Sequence, residues 1–520
     1  MNGDKLFIRS DAYDFMDGHD TVISLPFLVK GKLVVPQQMS KDSAAAAFND
    51  LAADEAYAQT AETQIIREKI IDRLTRKYTG EYFYQIMPKI NPLDLIERDM
   101  DNLAAELYSL TVDEILDYLE SVLAWLSKQG KLALRVRELC RQTSEYPDSF
   151  IDSCFVSLTA AFNREQAAAM IDNELSHRGR PGRDFLNDWV EVSSLPSPAA
   201  ERFRIRAMPT RQLHITAGNV PEVPIVSALR AILTKSSAVI KLPYGATLPG
   251  ALLGIAACEA APNHPITKHL SMVYWHGGDE SIESALFQTG AFDRIVVWGS
   301  PQTITSIRAK VPFTRVIAFN PRYSVSLIGK EAFKHDLSEI AEKGAADALI
   351  FNQKACTSSL VHYVEGTDDD AGAYAELLRC SLERWDTTQP GFITPATTGQ
   401  IKRMRRGRYA DSRWFVNQSG EAVSSCVLVA TGSFDILDHP MSRMIVVRPL
   451  AKLEDALPFI HSAVSVVGVY PEERRSALID RILARGVSSV VPLGQGETIF
   501  AGMPHDGMFV LNELVDWKVA

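Results

Sequence analysis

The chain has 520 residues, of which 46% are hydrophobic and 23% are charged, and its formal net charge is −10. This length suits about two to four globular domains with ample apolar core. The acidic balance argues against a protein that binds nucleic acid or membrane surfaces electrostatically. Six cysteines without a CxxC pair indicate neither a zinc site nor a disulfide framework, so a cytoplasmic location is expected.

The N-terminus is acidic and lacks the apolar region of a signal peptide, and no apolar run approaches the roughly 18 residues of a membrane span. Thr21–Pro36 reads as a hairpin of two strands around a Lys-Gly-Lys turn. From Ser43 to about His177 the apolar spacing predicts helices, including QIIREKIIDRLTRK from Gln64 and TVDEILDYLESVLAWLSKQ from Thr111. Thr111 can cap the second of these helices. The basic turn at His177 allows a phosphate site, but a solvated loop is the better interpretation.

Beyond the helical region the pattern changes to alternating strands and helices, which is typical of a parallel α/β sheet. A strand is predicted at Ala200–Arg206. Further strands are predicted to start at Gln212, Ser237, Leu270, Asp293, Arg315, Ser324, Ser424, Met444, Val464 and Val487. The helices between them are predicted at Pro224–Leu233, Thr247–Cys258, Glu280–Gln288, Pro301–Ala309, Gly366–Trp385, near Leu453–Ile460 and through Leu483.

Cys356 carries the strongest chemical signal, in the segment Ala345–Val364. It follows a short helical pattern and lies among small and polar residues, where a ligand can reach its side chain. A nucleophilic thiol must be partly accessible, and a helix N-terminus or a cluster of donors beside it is expected to lower its pKa. A buried, inert cysteine is the commoner case, so Cys356 alone does not establish a nucleophile.

Two further segments offer a donor and a proton-transfer group. Asn219, in TAGNVPEVP at a strand end, supplies an amide that could complete an oxyanion hole beside a nucleophilic cysteine. The alternative for Asn219 is a turn or capping residue. His505 and Asp506, in the C-terminal stretch HDGMFVLNELVDW, are candidate catalytic residues. A turn before the last helix or strand is the preferred interpretation of that stretch.

Three segments are candidates for binding a nucleotide. Lys241 ends the strand SAVIKLP, where open α/β sheets bind ligands, although a solvated lysine is the alternative. Trp298, Gly299 and Ser300 end another strand and precede a helix, which makes an anion site at the helix N-terminus. The GxGxxG fingerprint is absent there. Gly277 and the glycine after it are a weaker signal that a turn explains equally well.

Together these residues resemble the aldehyde dehydrogenase superfamily. Its order is an oxyanion asparagine, a cofactor lysine, a glycine-serine phosphate turn and a nucleophilic cysteine, here Asn219, Lys241, Ser300 with its preceding glycine, and Cys356. The stretches HITAGNVP, VIKLP, NQKACTSS and HDGMFVLNELVDW are similar to the LuxC-type acyl-CoA reductases, the fatty-acid reductase subunit of bacterial bioluminescence and its relatives. The resemblance covers residues 21 to about 517.

The resemblance implies an α/β, aldehyde-dehydrogenase-like fold. Residues 1–330 would hold the N-terminal hairpin, the helical region and a Rossmann-type dinucleotide-binding domain. Residues 331–493 would form an α/β catalytic domain that carries Cys356. Residues 494–520 and 195–210 would form a small oligomerisation arm, so a homo-oligomer is expected. An acyl-CoA or acyl-protein substrate and an acyl-protein synthetase partner are implied too, with no metal and no nucleic acid.

Three departures from ordinary aldehyde dehydrogenases bear on the chemistry. The strand that carries their general-base glutamate reads VIAFNP here and has no carboxylate. Their ExFGP motif is replaced by PMSRMIVV. The glutamate of their KxxE motif, which binds the adenosine ribose, aligns with Tyr244, and without that charge NADPH is favoured over NADH. An enzyme without the base is suited to reducing a thioester rather than hydrolysing an acyl-cysteine.

The function that the resemblance implies is NADPH-dependent reduction of a fatty-acyl thioester to the aldehyde. Cys356 would carry the acyl group, Asn219 would hold the oxyanion, and Lys241 and Ser300 would place the cofactor. The alternatives are NAD(P)-dependent aldehyde oxidation, acyl transfer by cysteine without a redox step, and a scaffold in which Cys356 is inert. The sequence leaves the acyl chain length and the acyl carrier open.

Overall fold

The structure is a computed structural model that describes residues 21–128, 130–161, 163–194, 201–391, 393–419, 422–497 and 501–520. Two seven-stranded sheets dominate it, each with mostly parallel strands connected by helices. A four-stranded and a three-stranded sheet accompany them. Among the helices of these ranges, none is long and apolar enough to cross a membrane.

The N-terminal region begins with the strands β1 (Val22–Ser24), β2 (Phe27–Val29), β3 (Lys32–Val34), β4 (Tyr57–Gln59), β5 (Thr63–Ile71) and β6 (Tyr78–Pro88). The predicted hairpin is confirmed as β2 and β3, which pair antiparallel. Lys30 and Gly31 have φ angles of 43° and 77°, the left-handed conformations that a two-residue hairpin turn needs. β1, β6, β5 and β4 form the four-stranded sheet in that order.

The segment from Gln64, predicted to be a helix, is instead β5, so that prediction was wrong. β5 pairs antiparallel with β4 and β6, and every residue from Thr63 to Ile66 is buried. A strand covered on both faces shows no alternation of apolar and polar residues, so spacing alone cannot tell it from a helix. Its four isoleucines are β-branched and favour the extended conformation.

The rest of the predicted helical region is largely helical. Its helices are α1 (Lys41–Ala46), α2 (Pro92–Leu95), α3 (Met100–Leu103) with the π-helical turn Ala104–Tyr108, α4 (Val112–Lys128), α5 (Gly130–Thr143), α6 (Asp148–Ala161), α7 (Arg164–Glu174) and α8 (Gly182–Asn187). Thr111 caps α4 as predicted: its Oγ1 accepts the Glu114 N–H at 3.2 Å, and Glu114 Oε2 accepts the Thr111 N–H at 2.7 Å.

The first large sheet, which we call the N-terminal sheet, contains β9 (Arg211–Ile215), β10 (Ser237–Lys241), β11 (Leu270–Val273), β12 (Arg294–Trp298) and β13 (Arg315–Phe319). Its helices are α9 (Val223–Leu233), α10 (Thr247–Ala260), α11 (Pro265–Lys268), α12 (Glu280–Leu286) and α13 (Pro301–Lys310). The strand order is β13-β12-β9-β10-β11-β2-β3, with β9 to β13 parallel, which confirms the predicted α/β alternation. The order reverses at β9, and such a switch point opens a crevice at the carboxyl ends of the strands.

The second large sheet, the C-terminal sheet, contains β14 (Tyr323–Ile328), β15 (Ser359–Glu365), β16 (Arg413–Ser419), β17 (Ala422–Val429), β18 (Met444–Leu450), β19 (Val464–Tyr470) and β20 (Ser489–Pro492). Its order is β16-β17-β18-β15-β14-β19-β20, and each pair except β16–β17 is parallel. The helices are α14 (Leu337–Leu349), α15 (Asp368–Thr388), α16 (Pro395–Arg406) and α17 (Glu472–Leu483), with 3₁₀ turns at Lys330–Lys334, Ile350–Gln353, Ile436–Asp438 and Leu453–Phe459. The last turn stands where an α-helix was expected, and Pro458 inside it cannot donate the hydrogen bond an α-helix needs.

The C-terminal tail folds back onto the N-terminal sheet. β7 (Val190–Ser193), β8 (Arg202–Met208) and β21 (Asp516–Val519), the last preceded by α18 (Val510–Leu514), form an antiparallel sheet in the order β21-β8-β7. Thr210 Oγ1 donates to the Leu514 carbonyl at 2.6 Å. Residues 195–200 of the expected arm lie outside the described residues, and the role of this sheet in assembly stays a prediction.

Candidate active site

The two large sheets meet at edges that carry predicted site residues. Asn219 follows the carboxyl end of β9, the strand at which the order of the N-terminal sheet reverses. Cys356 precedes the amino end of β15 in the C-terminal sheet. Asn219 Nδ2 donates a hydrogen bond of 3.1 Å to the carbonyl of Lys354, 135 positions along the chain. The fold therefore brings the Asn219 turn and the Cys356 loop into direct contact.

The backbone immediately before Cys356 is strained. Phe351, Asn352 and Gln353 have φ angles of 45°, 53° and 69°, so three successive residues adopt the left-handed conformation. Residues other than glycine rarely do so, and each instance costs on the order of 1–3 kcal/mol unless the surrounding structure holds it. Such strain in front of a candidate nucleophile is typical of a functional loop rather than of a structural turn.

Side chains from distant elements hold this strained turn. Gln353 donates from Nε2 to the Met444 carbonyl at 2.6 Å, and its Oε1 accepts the Met444 N–H at 3.0 Å, which ties the turn to β18. Asn352 Oδ1 accepts from Arg443 Nε at 2.6 Å, and Arg443 also pairs with Asp386 at 2.6 Å. Sequence reasoning missed Arg443, because its partners lie 91 and 57 positions away and leave no local signal.

Cys356 is half-buried among polar groups. The Ser465 hydroxyl hydrogen-bonds its thiol, and the Ser324 hydroxyl donates to its backbone carbonyl at 2.9 Å. Burial raises the pKa of the Cys356 thiol above its usual range, and the negative charge of Asp506 adds to this, while Ser465 and Arg322 act in the opposite direction. The expectation of a lowered thiol pKa was therefore wrong, because loss of solvent outweighs the donors around the sulfur.

Arg322 is a site residue that sequence reasoning did not identify. It lies between β13 and β14, where its Nη1 donates to Ser488 Oγ at 2.8 Å and its Nε lies 3.5 Å from Asp506 Oδ1. Asp506 is thereby placed beside the Cys356 loop rather than in a remote turn. The sequence feature that could have identified Arg322 is its position as a cationic residue in the short connection between two predicted strands.

Asn219 is exposed, and its own backbone is fixed by the N-terminal helices. The Tyr146 hydroxyl donates to the Asn219 carbonyl, and Lys354, which accepts from the Asn219 amide, forms an ion pair with Glu145. A side-chain amide has two N–H donors, and the Lys354 carbonyl takes one of them. The second has no partner among the hydrogen bonds of the described residues.

Lys241 ends β10 and is 9% exposed, so the alternative of a solvated lysine does not hold. Its ammonium lies 5.5 Å and 5.3 Å from the ring centroids of Tyr274 and Trp275. Within the described ranges the ammonium forms no hydrogen bond. Burial lowers the pKa of Lys241 to about 8. Gly277, two positions beyond Trp275, lies exposed in the turn after β11.

Tyr244 follows β10 and faces the four-stranded sheet. It is 46% exposed, and its hydroxyl donates to the Arg67 carbonyl at 3.3 Å. Burial raises the pKa of the Tyr244 phenol, the charge of Glu68 adds to this, and the charge of Arg67 acts in the opposite direction. Glu68 is buried, which raises the pKa of its carboxyl to about 7, and it accepts from Gln85 at 2.8 Å. The Tyr244 side chain is therefore a neutral phenol that is bonded to the backbone of β5.

Trp298, Gly299 and Ser300 lie at the same carboxyl edge as Lys241, because β12 and β10 are both parallel to β9. Trp298 stacks on Phe319 of β13 with ring centroids 3.9 Å apart and planes 13° apart. The Ser300 hydroxyl caps α13 by accepting the backbone N–H of the third helical residue at 3.2 Å. The turn therefore presents the N-terminus of a ten-residue helix to this edge.

His505 packs against the stacked pair from the other side. Its ring centroid lies 5.3 Å from Trp298 and 4.9 Å from Phe319. Arg230 donates to His505 Nδ1 at 3.0 Å, and burial together with this cation lowers the pKa of His505 to about 3. The imidazole is therefore neutral, and its catalytic role stays a prediction.

Comparison with known sequences identifies a family. The sequence model described as LuxC acyl-CoA reductase matches residues 107–517. A long-chain acyl-protein thioester reductase from Photorhabdus laumondii is 26% identical over 361 residues, which cover 67% of this chain and 69% of that protein. A long-chain acyl-protein thioester reductase 2 from Photobacterium leiognathi is 24% identical over 430 residues, which cover 78% and 82%.

Comparison with solved structures identifies the fold. An NADP-dependent glyceraldehyde-3-phosphate dehydrogenase from Bacillus halodurans, solved with NADP, has a TM-score of 0.69 at 13% identity and covers 96% of this chain and 99% of its own. Aldehyde dehydrogenase 21 from Physcomitrella patens has a TM-score of 0.67 at 11% identity and covers 95% and 97%. The predicted aldehyde-dehydrogenase-like α/β fold is confirmed.

Proposed function

The chain belongs to the LuxC family of acyl-CoA reductases, and we propose that it reduces a long-chain acyl thioester to the free aldehyde with NADPH, through an acyl group on Cys356. The observation that carries this proposal is the contact between the Asn219 amide and the Cys356 loop. This contact supports a site in which the Asn219 amide acts as an oxyanion donor beside the Cys356 thiol. Curated relatives that are named long-chain acyl-protein thioester reductases support an acyl thioester as the substrate.

The residues at the carboxyl edge of the N-terminal sheet fit a nicotinamide dinucleotide. Lys241 is a buried ammonium without a hydrogen-bond partner in the described chain, and a phosphate or ribose oxygen would satisfy it. The N-terminus of α13, which follows Ser300, suits an anion at the same edge. Lys241 and the Gln302 N–H are thus the groups that would hold the cofactor, which supplies a hydride when bound, because Pro301 has no N–H and the Thr303 N–H is taken by Ser300.

The protein's own part in the reaction is to hold and activate the acyl group. The Cys356 sulfur attacks the thioester carbonyl, and the second N–H of the Asn219 amide, together with the Cys356 backbone N–H, receives the developing oxyanion. The carrier thiol leaves and the acyl group stays on Cys356. After reduction, the oxyanion occupies the same donors until the carbon–sulfur bond breaks and the aldehyde departs. Cys356 leaves as a thiolate and takes one proton from solvent, which restores the thiol.

Reduction fits the site better than hydrolysis of the acyl-cysteine. The resemblance matches β13 with the strand that carries the general-base glutamate of aldehyde dehydrogenases, and its sequence RVIAF has no carboxylate. Without that base, an acyl group on Cys356 is poorly equipped to react with water, which supports its reduction by hydride.

The preference for NADPH over NADH is also a proposal, and it rests on charge. Tyr244 occupies the position of the ribose-binding glutamate, so no ionised carboxylate there repels a 2′-phosphate. The Tyr244 hydroxyl contacts the Arg67 backbone carbonyl, while the Arg67 guanidinium donates to the carbonyls of Ala52, Ala53 and Glu55 and adds positive charge near Tyr244. Glu68 and Glu145 are acids whose charge acts on Tyr244, and the raised pKa of about 7 leaves Glu68 partly protonated at neutral pH.

The proposed function is tested by following NADPH oxidation with a panel of acyl thioesters while measuring aldehyde. The panel contains long- and short-chain acyl-CoA and an acyl group borne on a carrier protein, with NADH as the second cofactor. We expect aldehyde in a one-to-one ratio with oxidised NADPH for at least one long-chain donor. NADPH-independent release of the carrier thiol without aldehyde would instead indicate an acyltransferase.

A further inference from the structure

A cavity of about 370 Å³ lies on one face of the C-terminal sheet, and the proposed function leaves it unused. Its base is formed by Val361 and Tyr363 of β15 and by Arg448 of β18, and Tyr363 and Arg448 are register partners. Its walls come from residues at the start of the 3₁₀ turn Ile436–Asp438 and at the end of the turn Leu453–Phe459. A cavity of this volume falls within the usual range for small-molecule sites, roughly 300–1,000 Å³.

The cavity offers an aromatic surface. The Phe459 ring is stacked on Tyr363, with ring centroids 5.8 Å apart and planes 11° apart. Phe459 is 40% exposed whereas Tyr363 is buried, so part of the outer ring is uncovered. Such an uncovered ring on a packed aromatic support is a stacking surface for the planar base of a nucleotide.

The cavity also offers a cation that no acid neutralises. The Arg448 guanidinium lies 4.3 Å from the Phe459 ring centroid and forms no ion pair among the described residues. Its Nη2 donates to the Gly432 carbonyl at 3.3 Å, and its Nε is buried without a hydrogen-bond partner in the same part of the chain. A guanidinium with unused donors is suited to a phosphate group.

The remaining charges of the cavity select against a bare anion. Arg408 is already paired with Asp438 at 2.9 Å and Asp435 at 3.7 Å, so its charge is offset. Asp435 lines the cavity and accepts the Leu437 N–H at 3.0 Å, and a carboxylate in this place can also accept from the amino group of a base. The cavity therefore suits a base joined to a phosphate better than inorganic phosphate.

The cavity begins beside the Cys356 loop. Tyr323 lines it at the amino end of β14. The next residue, Ser324, donates from its hydroxyl to the Cys356 carbonyl at 2.9 Å and from its N–H to the Ser358 carbonyl at 3.0 Å. A ligand in the cavity is thus bound next to the strand end that holds the candidate nucleophile.

The register of the strands gives the length that such a ligand must span. Arg448 is level with Tyr363, which is level with Leu327, four residues along β14 from Tyr323. At about 3.3 Å per residue the cation lies roughly 13 Å along the sheet from Tyr323. The pantetheine arm that joins the nucleotide of coenzyme A to its thiol can cover this distance when extended.

We propose that this cavity binds the nucleotide of coenzyme A, so that an acyl-CoA reaches Cys356 from the C-terminal sheet while the dinucleotide is held by the N-terminal sheet. The base stacks on Phe459, and Arg448 receives a phosphate of the nucleotide. The inference rests on the proposed function, since it names the carrier that delivers the acyl group.

The test is calorimetric titration of the full chain with coenzyme A and with adenosine 3′,5′-bisphosphate, which is its nucleotide without the arm. Arg448→Met keeps an apolar stem against Phe459 and removes the cation, and Phe459→Leu removes the ring. The matched controls are the exposed Arg403→Met of α16 and Phe313→Leu, whose side chain is 86% exposed elsewhere on the chain.

We expect the dissociation constant of coenzyme A to rise roughly tenfold to a hundredfold in Arg448→Met, the usual loss for a charge-assisted contact. It should rise about tenfold in Phe459→Leu, through the loss of stacking. The bisphosphate should show the same changes, and inorganic phosphate should not compete with it. Both controls should match the wild type, and NADPH affinity should be unchanged in all four variants.

Turnover gives a second measurement. Arg448→Met should raise KM for a long-chain acyl-CoA and leave kcat near the wild-type value, because the cation binds the carrier and does not touch the reacting carbon. With the matching acyl-pantetheine, which lacks the nucleotide, Arg448→Met and the wild type should have equal KM. An equal rise in KM for both donors would assign the effect to the fold rather than to the nucleotide and would overturn the inference.

The binding measurements keep the two proposals apart. No binding of coenzyme A by the wild type, or affinities within about twofold of it in both cavity variants, would overturn the inference. Coenzyme A binding that is lost in Lys241→Ala and kept in Arg448→Met would place the nucleotide at the N-terminal sheet and overturn it too. If no acyl donor yields aldehyde while Arg448 still controls the affinity for coenzyme A, the proposed function fails and the cavity assignment stands.

Discussion

The two edges that form the site are built in different ways. On the N-terminal sheet, Asn219, Lys241 and Ser300 follow directly from the carboxyl ends of regular parallel strands. On the C-terminal sheet, Cys356 follows a left-handed turn that residues up to 91 positions away hold in place. The first edge depends on local backbone order, and the second depends on long-range side-chain contacts. Substitutions far from Cys356 should therefore affect acyl transfer, whereas cofactor binding should respond mainly to residues at the strand ends.

The same difference distinguishes the edge proposed to bind the cofactor from the edge that carries the candidate nucleophile. On the N-terminal edge, groups such as the Lys241 ammonium have no hydrogen-bond partner among the described residues, and a bound ligand would supply one. On the C-terminal edge, hydrogen bonds hold the backbone of the Cys356 loop, from Ser324 to the Cys356 carbonyl and from Ser358 to the Ile350 carbonyl. We expect the first edge to change on ligand binding and the second to stay fixed.

The largest effect is expected from Cys356→Ala or Cys356→Ser. Either change should abolish aldehyde formation, because Cys356 is the proposed acyl carrier, whereas Cys154, which packs with Phe351 beside the same loop, is buried. NADPH binding should persist, since the cofactor groups belong to the N-terminal edge. Aldehyde detection and fluorescence titration with NADPH measure the two properties. Aldehyde production by Cys356→Ala would end the proposed mechanism, and Cys380→Ala is the control for general loss of a half-exposed thiol.

Asn219→Ala tests the donor that joins the two edges. Loss of one oxyanion donor slows acyl transfer by roughly a hundredfold to a thousandfold. Stopped-flow release of free coenzyme A measures the step, and the NADPH affinity should be unchanged. A decrease below about threefold would mean that Asn219 is a turn residue that merely braces the Lys354 carbonyl.

Arg443→Met tests whether the C-terminal edge depends on distant residues. The Arg443 side chain is 2% exposed, and its removal leaves the half-buried Asp386 without its cation, which costs at most about the 3–5 kcal/mol of folding free energy typical of a fully buried pair. Relaxation of the turn should also slow acyl transfer by roughly tenfold to a hundredfold. Thermal unfolding and thiol release measure the two effects. The exposed Arg403→Met of α16 is the control, and equal behaviour of both variants would contradict the comparison.

Tyr244→Glu tests the cofactor preference of the N-terminal edge. A carboxylate at this position should disfavour NADPH relative to NADH by about 1–3 kcal/mol, the range of a charge-assisted contact. Lys241→Ala should weaken NADPH more than NADH. The ratio of kcat/KM for the two cofactors measures the change in wild type and variants. Equal use of both cofactors by the wild type would contradict the NADPH proposal.

The smallest effect is the pH dependence of cofactor binding. Burial lowers the pKa of Lys241 from 10.5 to about 8, so its charge is present below pH 8 and is lost above it. The affinity for NADPH should therefore fall by about tenfold between roughly pH 7 and pH 9, as the ammonium loses its proton. Lys241→Arg should remove this dependence. An equally steep fall in that variant would assign the titration to another group.

Raising the pH should weaken NADPH binding through Lys241 but should increase the stability of the folded chain. Between about pH 8 and pH 10.5 the unfolded chain holds the Lys241 proton and the folded chain does not. The contribution of this residue to the free energy of unfolding therefore rises with pH across that window. Denaturation midpoints of wild type and Lys241→Met at the two ends of the window measure it. An equal change in both proteins would contradict the burial of the ammonium.

The sequence predicted the N-terminal edge well, because its signals are local. Lys241 and Trp298 end short apolar strands that the α/β alternation predicts, whereas the order of the strands in the sheet was not predicted. β5 could not be predicted, because burial on both faces removes the periodicity that distinguishes a strand. The surroundings of Cys356 could not be predicted either, since Arg443 and Arg322 act on it through folded contacts.

The most direct test is intact-mass analysis of the protein after mixing with a long-chain acyl-CoA in the absence of NADPH. The account predicts one acyl adduct, mapped to Cys356 by peptide mass. Addition of NADPH should remove the adduct and yield one equivalent of aldehyde. An adduct on another residue, or an adduct on Cys356 that NADPH does not discharge, would contradict the central claim.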